Sequence, residues 1–219
     1  MENMQLEVGI NLFGGLKRSG KSRFCLKWAN QIAQTQKVLF LNWTSFSEKL
    51  QSELIEMGET PHKNLSIYTM SEDFNMEIFL DIYDLIETDK FEVVVFDDIY
   101  LNERNRMDCD YLECDSALIR GLSFLVKQLN VKILLPNDVK PFFRLEQPVF
   151  HPDIKNFKFS HNLLTISKNI WFMYRPHFCG VFETPDGQPT IDKIEVFSLK
   201  NASLKEYVIL FDNKVLKLY

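Results

Sequence analysis

Cysteine and histidine are scarce in this chain, with four of each in 219 residues. Cys25, Cys109, Cys114 and Cys179 form no C-x-x-C pair, and no His cluster lies near them. A structural zinc site needs four well-placed ligands, so none is expected, and the thiols are expected to be reduced. Positive charge is not in excess. Against 30 Asp and Glu stand 25 Lys and Arg, leaving a net charge of −5. That balance argues against a generally basic nucleic-acid surface but allows a local basic patch. No apolar run is long enough to span a bilayer and no secretory signal opens the chain, so a cytoplasmic protein is expected. Internal repeats and low-complexity tracts are also missing.

What is abundant is phenylalanine. Nineteen in a chain of this length point to a Phe-rich core. Apolar and charged fractions are those of an ordinary globular protein, and the length suits one domain over 1–219. Strands are predicted at 8–13, 38–43, 65–69, 91–97 and 131–135. Helices are predicted at 21–35, 47–57, 73–87 and 113–129. Several of these strands are apolar throughout, as strands covered on both faces must be. Alternation of this kind implies right-handed βαβ units and a parallel sheet. The last third changes character, with strands predicted at 170–174, 193–199, 207–212 and 215–218. A turn is expected at 184–189 and a hairpin corner at 212–214. The expected fold is therefore α/β, a mainly parallel sheet flanked by helices with antiparallel strands at its C-terminal edge. The stretch 138–164 shows no clear periodicity, and loops of that length are usually functional or mobile.

The chemistry concentrates in Gly15-Leu16-Lys17-Arg18-Ser19-Gly20-Lys21-Ser22, which matches G-x-x-x-x-G-K-[ST] at every fixed position. A buried strand leads in and a helical pattern follows. In such a loop the backbone N–H groups and the helix N-terminus surround phosphate oxygens. Lys21 would sit at the β/γ-phosphates and the Ser22 hydroxyl would hold Mg²⁺. The strand 91–97 ends in Asp97 and Asp98. Ligands of parallel α/β sheets bind at the carboxyl ends of strands, so Asp97, with Asp98 beside it, is the expected carboxylate on the metal side. ATP and Mg²⁺ are the expected ligands.

The chain also resembles, over about 8–211, the RecA-like P-loop ATPase domain of DnaB-type replicative DNA helicases. Leu41-Asn42-Trp43-Thr44-Ser45-Phe46 is similar to the family's second strand and its exit. Phe96-Asp97-Asp98-Ile99-Tyr100-Leu101 falls where the family has Ile-Asp-Tyr-Leu-x-Leu. The segment 122–137 resembles a helix and strand leading to a sensor Gln, here Asn137. Ile170-Trp171-Phe172-Met173-Tyr174-Arg175-Pro176 resembles the Phe-Leu-Tyr-Arg strand, and Phe197-Ser198-Leu199-Lys200-Asn201 the Ala-Lys-Asn-Arg segment. The resemblance implies ATP hydrolysis in DNA replication, with Lys21, Asp97, Asn137 and Lys200 as working residues.

Departures from the family pattern bear on rate. The position of the family's water-polarising Glu is Thr44, which cannot act as a general base at neutral pH. Glu48, one helical turn on, is the candidate substitute. Ala202 stands where the family has an Arg finger, whose loss in related chemistry costs on the order of 10³–10⁵ in rate. Hydrolysis is therefore expected to be weak. Of the family's two DNA-facing loops, the first, 100–114, is rich in acid and would repel phosphate. The second, 138–152, carries Lys140, Phe142, Phe143 and Arg144, a mix that can neutralise phosphate and stack bases. No counterpart of the family's N-terminal domain and linker helix is read before Val8. Partners are then single-stranded DNA, further copies of the chain, or another protein, with no membrane. Two rival readings stand beside this one: a catalytically degenerate nucleotide-binding switch or partner-binding subunit, and a small P-loop kinase or transferase. The latter would usually carry an Arg-rich lid, and no Arg cluster is present.

Overall fold

The computed structural model describes residues 4–71, 74–99, 111–139, 161–184, 186–191, 193–198, 206–212 and 215–216. Its strands are β1 (Gly9–Gly15), β2 (Val38–Asn42), β3 (Leu65–Thr69), β4 (Val93–Asp97), β5 (Lys132–Asp138), β6 (Asn169–Tyr174), β7 (Lys193–Ser198), β8 (Glu206–Asp212) and β9 (Val215–Leu216). Its helices are α1 (Lys21–Ile32), α2 (Ser47–Glu56), α3 (Met76–Asp89), α4 (Tyr111–Leu129) and α5 (His161–Ile166), with a 3-10 turn at Pro176–Cys179. All nine strands form one sheet in the order β3-β2-β4-β5-β1-β6-β7-β8-β9. The first six in this order run parallel, and β7, β8 and β9 continue the edge antiparallel.

The strand sequences explain the layering. Side chains alternate between faces along a strand. Leu12, Leu41, Phe96 and Leu135 pack on one face with Phe79, Ile82 and Ile86 of α3 and Leu118, Leu122 and Leu125 of α4. Phe13, Phe40, Val95 and Leu134 face the other way, onto Phe24 and Trp28 of α1 and Leu50 and Leu54 of α2. β1, β2 and β4 are therefore buried along their whole length, while β3, at the edge, is half-exposed. Phe13, Phe24, Phe40, Phe96, Phe172 and Phe197 are fully buried, so the aromatic load does go into the core. Truncating any one of them to Ala would cost about 3–5 kcal/mol.

Element ends shift for local reasons. α3 starts at Met76 rather than 73 because the Asn75 side chain caps it, accepting the Ile78 N–H at 2.9 Å. It ends at Asp89, capped by Lys90, which takes a left-handed backbone with φ 58°. β5 runs on to Asp138 where the sequence reading stopped at 135, before Pro136. Its pairing with β4 ends at Leu134, while β1 stays alongside as far as Asp138. Proline is tolerated where a ladder has already parted on one side. α5 and the 3-10 turn were not foreseen, being too short for a period to register.

Candidate functional site

The phosphate-loop motif sits between two clamped stems. Phe13 of β1 and Phe24 of α1 stack with centroids 4.8 Å apart. Trp28 packs edge-on against Phe24 and against Trp171 of β6. Between the stems the chain turns sharply, the Ser19 N–H reaching the Leu16 carbonyl at 3.1 Å. Arg18 and Gly20 take positive φ of 64° and 92°. Gly20 is the N-cap of α1 and offers no capping side chain, so the first N–H groups of the helix are left for another acceptor. Gly15 is tight for a different reason. A Cβ there would lie 2.7 Å from Cγ of Lys21, so any larger residue would displace the lysine stem.

The carboxyl edge of the sheet closes on this loop. Asp97, fully buried at the end of β4, accepts from the Ser22 hydroxyl at 3.0 Å and from Nδ2 of Asn42 at 2.7 Å. Burial, and secondly the neighbouring Asp98, push its pKa up to about 7 against the pull of the Ser22 and Asn42 hydrogen bonds and of Lys21. Oδ1 of Asn42 in turn accepts the Thr44 N–H at 2.9 Å, fixing the exit of β2. Asp98 has a left-handed backbone, φ 55°, and its Oδ2 accepts from the Thr44 hydroxyl at 3.0 Å. Lys21 is buried, and its Nζ meets Oδ1 of Asp138 at 2.6 Å and the Leu16 carbonyl at 3.3 Å. Cys25, one turn into α1, is buried, and burial with the Asp97 charge raises its thiol well above the usual range. A cavity of about 320 Å³ opens over these groups, lined among others by Lys21, Ser22, Thr44, Asp98 and Asp138.

Gly15, Leu16, Lys17, Arg18, Ser19, Gly20, Lys21 and Ser22 thus form one continuous turn, and the fold brings Ser22 and Asp97 into contact. Thr44 lies across from Asp98 on the cavity wall. Glu48 is on an exposed face of α2 and outside the cavity lining, whereas Glu53 is within it. Asn137 is half-buried in register with Gly14, one residue short of the cavity, and Asp138 is the β5 residue that reaches Lys21. Lys200, Ala202, Lys140, Phe142, Phe143 and Arg144 lie outside the described residues, as does 100–110.

Two side chains at the loop received no role from the sequence. Asp138 obeys the same rule that picked out Asp97, a carboxylate at the carboxyl end of a parallel strand. It was passed over because the strand was read as stopping at 135. Arg175, just past β6, donates from Nη1 to the Ser19 carbonyl at 3.3 Å, a contact with no sequence signal beyond the resemblance that quoted it. The Ser19 hydroxyl itself is buried and has no hydrogen-bond partner.

No protein-family model and no curated protein matches the chain. Solved structures do. One is a DnaB-like replicative helicase, described together with its interactions with primase. It superposes with a TM-score of 0.75 at 13% identity over 95% of this chain. The fold is RecA-like. At that identity the likeness shows the fold alone, and the chain spans 58% of the length of the helicase chain it matches. Among the described residues no helix is long and apolar enough to cross a membrane.

Proposed function

We propose that the chain is an ATP–Mg²⁺-binding domain of the DnaB-helicase type, acting on or with DNA in replication and turning ATP over slowly. One observation carries the reading. Ser22 and Asp97, read as two halves of one site from distant parts of the sequence, meet at 3.0 Å beside Lys21. The orphaned Ser19 hydroxyl and the uncapped start of α1 add donors with nothing to donate to. Phosphate oxygens would satisfy both. In this reading Lys21 leaves Asp138 for the β/γ-phosphates, and Ser22 and Asp97 are the residues that would hold Mg²⁺. The metal, when bound, neutralises charge on the β- and γ-oxygens. Slow turnover follows from Thr44 and Ala202 in place of a Glu and an Arg. Asn137 and Lys200 would serve as sensor and trans-acting residue. Lys140, Phe142, Phe143 and Arg144 would give weak DNA contact, with a salt slope of roughly −0.7 for each phosphate neutralised on a single strand.

The test is ATP binding and turnover with and without single-stranded DNA, alongside solution mass. A melting-temperature rise with ATP–Mg²⁺, lost in Lys21→Ala, supports the binding assignment, and unchanged affinity in that variant removes it. A rate above about 1 s⁻¹, inside the usual enzyme range, removes the claim of slow turnover. The buried Lys21–Asp138 pair favours a second reading, a nucleotide-binding switch whose partner is a protein. Tight ATP binding without DNA binding at low salt would select it.

A further inference from the structure

We propose that Asp98 is the general base of ATP hydrolysis in this chain, standing in for the carboxylate that Thr44 lacks. The inference rests on the reading of the site as an ATPase and names the residue that would activate water there. It starts from the end of β4, where Asp97 is the last strand residue and Asp98 the first beyond it. Asp97 accepts from Asn42 and Asp98 accepts from Thr44, two groups next but one to each other at the exit of β2. Asp98 takes a left-handed backbone there, φ 55°. Among the described residues four non-glycine positions have positive φ: Arg18, Lys90, Asp98 and Asn130. Lys90 closes α3 and Asn130 directly follows α4, where such a backbone is routine. Arg18 turns the phosphate loop. Asp98 ends no helix. It holds an uncommon conformation on the lining of the cavity, the kind of outlier that clusters at working sites.

The two carboxylates have separate partners and separate surroundings. Asp97 is fully buried, holding Ser22 and Asn42. Asp98 is half-exposed, lines the cavity with Lys21 and Ser22, and accepts a hydrogen bond from the Thr44 hydroxyl. A base must reach water and the phosphate at once, and Asp98 is the one that faces the open space. Glu53 of α2 also lines the cavity. Thr44, unable to accept a proton itself, orients the carboxylate by donating to Oδ2. In the step, the water oxygen forms a new bond to the γ-phosphorus while one O–H bond breaks. The bridging P–O bond to the β-phosphate breaks with its electron pair going to ADP. The proton rests on the Asp98 carboxylate and passes to the released phosphate.

The experiment compares the full chain with Asp98→Asn, Thr44→Glu and the double variant, measuring steady-state ATP turnover and, separately, equilibrium binding of ATP as a function of Mg²⁺. Asp98→Asn should lower turnover by about 10²–10⁴-fold while ATP affinity and the Mg²⁺ requirement stay within about threefold. Asp97→Asn should shift the Mg²⁺ requirement itself. Thr44→Glu placed on Asp98→Asn should restore turnover at least tenfold, because it returns a carboxylate to the same corner. Turnover of Asp98→Asn within threefold of the parent overturns the proposal. So does an Mg²⁺ requirement displaced as far as in Asp97→Asn, which would make Asp98 a metal ligand. ATP binding by the parent chain with no measurable turnover, with or without single-stranded DNA, overturns the base and leaves the binding reading standing. Failure of the parent to bind ATP overturns the reading beneath it.

Discussion

Asn11 and Ser19 are both buried polar residues on the path from β1 into the loop, and they are treated in opposite ways. Asn11 spends its whole amide. Nδ2 donates to the carbonyls of Glu7, Gly9 and Ile133, and Oδ1 accepts from Glu7 and Asn169. It ties three neighbouring strands together in the middle of the sheet. Ser19, at the carboxyl edge, keeps a hydroxyl with no partner. Leaving a buried polar group unpaired costs about 1–3 kcal/mol, and a fold that saturates one such group in its interior leaves the other open at its edge. The interior is built for stability and is finished. The edge carries an orphan donor, a lysine held by a carboxylate and a carboxylate pushed towards its neutral form, all of which a phosphate and a cation would resolve.

The contrast can be broken most forcefully at Lys21. Lys21→Ala should weaken ATP–Mg²⁺ binding on the order of a hundredfold, the worth of a charge-assisted contact at roughly 1.5–3 kcal/mol, as read by calorimetric titration. The interior counterpart is Asn11→Leu. It removes the amide and leaves its carbonyl partners without a donor, so urea unfolding should show a loss of about 3 kcal/mol. Nucleotide affinity of the folded fraction should not move. A variant in which affinity fell and stability held would reverse the division of labour between the two regions. Asp138→Asn sharpens the comparison in the other direction. It takes away the anion that competes with phosphate for Lys21, and ATP affinity should tighten about tenfold, or ~1.4 kcal/mol. A weaker complex would show that Asp138 helps the bound state instead.

The smallest effect is set by pH. The Asp97 carboxyl ordinarily titrates at 3.8 and in the fold near 7, so between those values the unfolded chain gives up its proton first. Stability of the ligand-free protein should therefore fall as pH rises from about 4 to 7, and level off above. Cation-dependent binding needs the charged carboxylate, so ATP–Mg²⁺ affinity should climb through pH 7, by at most tenfold per unit below it. A flat profile from pH 6 to 8 would mean that Asp97 is already ionised. In Asp97→Asn the part of each slope that Asp97 supplies should vanish.

Much of this architecture was legible because its determinants are local and repetitive. The apolar runs of β2 and β4 and the glycines of the loop announce themselves in short windows, and β3 was read to the residue. The placement of Asp97 beside the loop was legible because a hydrophobic strand ending in acid is a compact signal. Asp138 was not, since Pro136 interrupts the pattern and only the unequal lengths of the β4 and β1 pairings explain why the strand survives it. The pairing of Asp98 with Thr44 was beyond reach for another reason. It joins two residues just beyond the ends of β2 and β4, one of them with a left-handed backbone, which no period or composition encodes. The Asn75 cap of α3 was in plain view, three residues before Ile78, but the helix was read as starting at 73.

Cys25 turns the clamped helix into something that can be watched. Only the thiolate attacks an alkylating reagent, and this thiol is both enclosed and held protonated behind the phosphate loop. Its labelling must wait for α1 to lift from Phe13 and Trp171. The modification rate, followed at that one peptide by mass, therefore counts openings of the loop-bearing helix. A nucleotide that bridges the loop to β4 would slow the count, so occupancy of the site could be timed by a residue that never touches the ligand.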